Sequence, residues 1–134
     1  MSVQLERRRL LAVTAILEAA TGLALIATPA MVATLLLAAP LDKTGVTVAR
    51  IGGAALIALG IACWPSRSST RDGPYLGMLV YSVLATLVLA EVAISGQGGG
   101  KLLWPAIVLH AILSGLLALA RFGGARPDRA PAPL

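Results

Sequence analysis

Four ionisable side chains interrupt long apolar stretches of this chain: Glu18, Arg50, Glu91 and His110. Any chemistry the protein performs would run through them. In hydrocarbon each such group costs about 2.5 kcal/mol or more to insert, so it turns towards other helices and finds a partner, and it marks a site for ions, protons or ligands by default. A carboxylate beside an imidazole can switch protonation, the property that proton relays use. A carboxylate beside a guanidinium makes an ion pair that holds two helices together. Which pairings arise depends on the elements that carry these residues.

The surroundings are strongly apolar. Of 134 residues, 57% are hydrophobic and 13% charged, with mean hydropathy +0.86, whereas a soluble chain carries about 25% charged residues. A chain this short has too much surface to hide that much apolar side chain from water, so lipid is its solvent. The first apolar run, Leu10 to Leu41, is too long for one span of about 20 residues, and Pro29 divides it. This predicts a first span over 10–28, then a short interfacial helix, PAMVATLLL, from Pro29 to Leu37, with proline at a favoured first helical position. Asp42, Lys43, Thr44 and Gly45 read as a polar turn. Further spans are expected over 46–64, 75–94 and 102–122, separated by PSRSSTRDGP and SGQGGGK. The predicted fold is all-α, an integral membrane four-helix bundle of up-down topology occupying residues 1–122. Residues 123–134 are expected to form a disordered cytoplasmic tail.

Lysine and arginine set the orientation, because cytoplasmic loops carry their excess. Arg7, Arg8, Arg9, Arg67, Arg71, Arg121, Arg126 and Arg129 fall on one side and Lys43 and Lys101 on the other, with Arg50 just inside the second span. Both termini are therefore expected in the cytoplasm. Trp64 and Trp104 lie at opposite interfaces, where amphipathic rings gather. A cleaved leader would also begin with Arg7 to Arg9, but Glu18 inside its apolar region argues for a retained span.

A rise of about 1.5 Å per residue gives the depths. Glu18 and His110 each lie eight residues into their spans from opposite faces, roughly 12 Å deep and near the midplane of a core about 30 Å thick. They are expected to meet, since the first and fourth spans adjoin when an up-down bundle closes. Thr14 and Thr21 on the first span, and Ser114 on the fourth, are placed to solvate them. Arg50 and Glu91 sit roughly 5 to 6 Å below the outer surface and are expected to form an ion pair between the second and third spans.

Ala54, Ala58 and Ala62 recur at spacing four beside Gly52, Gly53 and Gly60. Small residues at that spacing let helices approach closely, either within one chain or between two copies. Cys63 is the single cysteine, so no disulfide forms within the chain. One histidine cannot supply both axial ligands of a membrane b-type haem, and no His, Cys or carboxylate cluster has metal-site spacing. GQGGGK lacks the strand and helix a phosphate loop needs. No cofactor is expected. Nucleic acid is not an expected partner either, because the basic residues cap helix ends and form no patch with stacking aromatics.

The layout of a first span ending in TP, the short helix PAMVATLLL, then ARIGGAALIALGIACW and HAILSGLLALARF, resembles the small four-span bacterial membrane proteins grouped as DoxX-like. The resemblance covers most of the chain and rests on helix order and small-residue texture; Arg50 followed by glycines is its nearest shared signature. It implies a bacterial inner-membrane protein working beside soluble partners. Three readings follow. The first is a non-enzymatic accessory subunit or small-lipophile binding module, in contact with the bilayer and with a membrane-complex partner or a second copy. The others are a proton-coupled small transporter or channel, and an intramembrane acid–base enzyme acting on a lipophile.

Overall fold

The computed structural model describes residues 2–65, 73–96 and 99–122. Within them the fold is all-α: α1 Ser2–Ala27, α2 Pro29–Leu37, α3 Lys43–Ala62, α4 Gly73–Ile94 and α5 Leu103–Phe122. All but α2 are long and apolar enough to cross a membrane. The protein is a multi-pass membrane bundle with large side chains such as Ile51, Ile61, Leu87 and Leu119 exposed on its outside. Arg67, Arg71, Arg126, Arg129 and the expected tail lie outside the described residues.

Most boundaries fall within two residues of expectation, and two helix starts differ by more, each for a local reason. Helix α1 begins at Ser2 instead of residue 10, because Glu and Arg have high helix propensity and extend the span into its basic flank. The anticipated polar turn at 42–45 is a helix start. Asp42 caps α3, its carboxylate accepting from the Gly45 amide at 2.6 Å, so one of the free first-turn donors is satisfied. Helix α2 covers the expected nine residues, with Pro29 at its start.

The bundle is two helix pairs, not an even ring. Helix α1 packs along α3, and α4 along α5, while α3 and α4 make no substantial contact. The cause of the first pairing is backbone proximity. A Cβ on Gly22 would lie 2.5 Å from the Gly53 carbonyl oxygen, one on Gly53 equally close to the Gly22 oxygen, and one on Gly60 2.7 Å from that of Ala15. Those two contacts are two turns apart along each antiparallel helix. The alanine stripe does not share in this packing: Ala54, Ala58 and Ala62 are exposed, and Gly52 faces open space.

Helix α1 contacts each of the other four helices, and the pairs are joined at three levels. Near its start, Leu11 and Ala15 pack with Cys63, Tyr75, Met78 and Leu117 in one apolar core, and the Arg7 guanidinium lies 5.1 Å from the centre of the Tyr75 ring. A polar layer holding Glu18 comes next. At the far end α2 is fastened to the turn before α5. The amides of Gly99, Gly100 and Leu102 donate to the carbonyls of Leu37, Leu36 and Leu35 at 3.4, 3.1 and 2.8 Å. Those carbonyls end a helix and have no partner within it. Gly100 is required there, because a side chain would collide with the Leu35 backbone.

Candidate functional site

The polar layer is built by three helices. Helix α1 turns Leu11, Thr14, Ala15 and Glu18 inwards, and all four are buried. Helix α4 presents Tyr75, Met78 and Ser82 at matching helical spacing, with Tyr81 beside them. Helix α5 contributes His110 one turn before the buried Leu113. The Glu18 carboxylate, 2% exposed, lies 3.9 Å (Oε1) from Nδ1 of His110, whose side chain is 14% exposed. The Tyr81 side chain lies beside the same carboxylate. The Tyr81 and His110 rings meet edge to face, 5.9 Å between centres and 78° between planes.

The expected meeting of Glu18 and His110 thus occurs, at a separation too long for a direct hydrogen bond. His110 Nδ1 and Ser82 Oγ are buried with no hydrogen-bond partner among the described residues. Buried polar atoms are nearly always partnered, and these two stand as exceptions in one layer. Tyr81 and Ser82 were not anticipated from sequence. The available signal was the pair's position near the middle of a span that otherwise carries one charge.

The other anticipated residues separate into two groups. Thr14 is fully buried in the layer, but its hydroxyl donates to the carbonyls of Leu11 at 2.9 Å and Leu10 at 3.1 Å in its own helix. Ser114 likewise donates to the His110 carbonyl at 2.8 Å. Thr21 is exposed and bonded back to Leu17 at 2.9 Å, because α4 and α5 do not cover that stripe of α1 beyond Glu18. It is not part of the site.

Arg50 and Glu91 do not pair. Helices α3 and α4 are not neighbours, and Arg50 Nε donates to the Ile26 carbonyl at 3.3 Å. It caps α1, where Pro29 begins a new helix and leaves late carbonyls without donors; a cation also suits the negative end of the helix dipole. Glu91 is exposed near the end of α4. Among the described residues no group of three metal-binding side chains gathers. The chain matches no known family model, no curated protein and no solved structure.

Proposed function

We propose that the protein is a non-enzymatic membrane module that binds a small lipophile through Glu18, Tyr81 and His110, as an accessory subunit of a larger membrane system. The observation that carries this reading is the convergence of these groups from three helices in a closed layer, together with the unpartnered His110 Nδ1 and Ser82 Oγ. A ligand with a carbonyl or hydroxyl head would satisfy them, and its tail would lie along the seam between helix pairs. The DoxX-like layout supports the same role. In this reading the membrane is the cytoplasmic (inner) membrane of a bacterium, and the arginine-rich ends face the cytoplasm under the positive-inside rule. A membrane partner or second copy meets the exposed Ala54, Ala58 and Ala62 face.

The second reading is a proton-coupled transporter or channel, favoured by the gathering of three proton-bearing side chains, Glu18, Tyr81 and His110. Proteoliposomes carrying a pH-sensitive dye separate the two. The binding module gives no proton flux, and its unfolding midpoint rises by several degrees with alkyl phenols or alkyl quinones in wild type but not in Glu18→Gln. Flux that Glu18→Gln abolishes in a folded variant would replace binding by transport. The absence of both responses would leave the layer a structural one.

A further inference from the structure

On the outside of the α1–α3 pair lies a second site, unrelated to the polar layer. An apolar groove of about 610 Å³ is lined by Ala15, Ala19, Ala20 and Gly60, with Ile16, Leu23, Ile61 and Trp64 at its edges. Along α1 it runs from Ala15 to Leu23, eight residues or roughly 12 Å. That is well short of a hydrocarbon core about 30 Å across. A transmembrane helix of a partner would need a track through both leaflets. This groove is too short for that and suits an acyl chain.

The groove's open end carries charge. At about 100° per residue, Arg8 and Arg9 fall on the face of α1 that holds Ala15, Ile16, Ala19 and Leu23. They lie roughly 10 Å beyond the groove, where a headgroup would sit. Both are exposed, and neither makes an ion pair among the described residues. Trp64, more than half exposed, stands at the same end. Since Ala15 faces Gly60 across the antiparallel pair, Trp64 is level with Leu11, about one turn from Arg8. An indole belongs at headgroup depth, and basic clusters at helix ends recognise anionic lipid.

We propose that this groove is a binding site for one anionic phospholipid of the leaflet on the Trp64 side, with an acyl chain over the Ala15–Ala19–Gly60 floor and the phosphate on Arg8 and Arg9. Glu18 does not line it, so the two sites are tested separately.

The test uses Trp64 as reporter in the full chain carrying Trp104→Phe, reconstituted in phosphatidylcholine bilayers with a small fraction of brominated lipid. Brominated phosphatidylglycerol quenches Trp64 more than brominated phosphatidylcholine at equal mole fraction, with an enrichment on the order of tenfold for two arginines at an anionic headgroup. Arg8→Gln with Arg9→Gln abolishes the preference. Ala20→Phe, at an exposed groove position, reduces quenching by both lipids while helicity is kept. Equal quenching by the two lipids in the Trp104→Phe protein overturns the proposal, and so does a preference that survives both sets of changes. Quenching by neither lipid means that protein, a second copy included, covers the groove, which overturns it as well.

Discussion

Thr14 and Ser82 are both hydroxyl residues fully withdrawn from solvent in the polar layer, yet their situations differ. Thr14 spends its hydroxyl on its own helix, while Ser82 has nothing to bond. An unsatisfied buried polar group costs about 1 to 3 kcal/mol, so Ser82→Ala should raise the stability of the ligand-free protein by about 1 kcal/mol and weaken ligand binding. Denaturation of the pair of variants with and without ligand would show this; a less stable ligand-free Ser82→Ala would mean that the hydroxyl is already partnered. Depth counting placed Glu18 and His110 together because it needs only the rise of a helix and the starts of two spans. It failed for Thr21 because helical spacing gives a direction without saying how far the neighbouring helix extends. It fails for Arg50 because the nearest opposite charge is not the nearest acceptor: the helix break before Pro29 leaves carbonyls closer to hand.

Among the elements, α3 shows how a small-residue pattern misleads. Four-residue spacing drew attention to Ala54, Ala58 and Ala62, but the contact falls on Gly53 and Gly60, two turns apart, opposite Gly22 and Ala15. Glycine allows the backbones to touch, whereas alanine is tolerated anywhere on a lipid-facing helix, and abundance hid the rarer signal. Gly53→Ala should cost about 1 to 3 kcal/mol through overpacking. Gly52→Ala, with open space at its Cβ, should be neutral or slightly stabilising through helix propensity. Thermal unfolding in detergent measures both, and equal effects would contradict the close contact. The existence and order of all five helices were legible from apolar runs, Pro29 and the polar breaks. The helix starts at Ser2 and Lys43 were less so, because charged flanks remain good helix formers and Asp42 caps as readily as it turns.

At the scale of the molecule, the division into two helix pairs was not readable from hydropathy, which reports that spans exist but not which of them touch. The division makes Cys63 a useful probe. Its thiol is buried and donates to the Pro74 carbonyl at 3.2 Å, where the end of α3 meets the start of α4, so it becomes accessible to a maleimide only when the pairs part. If they part as rigid bodies, Gly100→Val, at the opposite end of the bundle, should accelerate Cys63 labelling severalfold. An unchanged rate would show that the two ends open independently. The bonds from Gly99, Gly100 and Leu102 to the end of α2 also bear on synthesis. Helix α2 is made long before those donors leave the ribosome, so its last carbonyls wait in the membrane until most of the chain has been translated. A product that stops short of Gly99 leaves them open however well its earlier spans have inserted. Such products should be cleared by membrane proteases faster than the complete chain, a difference that pulse-chase labelling would read, and the turn before the last span thereby acts as a checkpoint on completion.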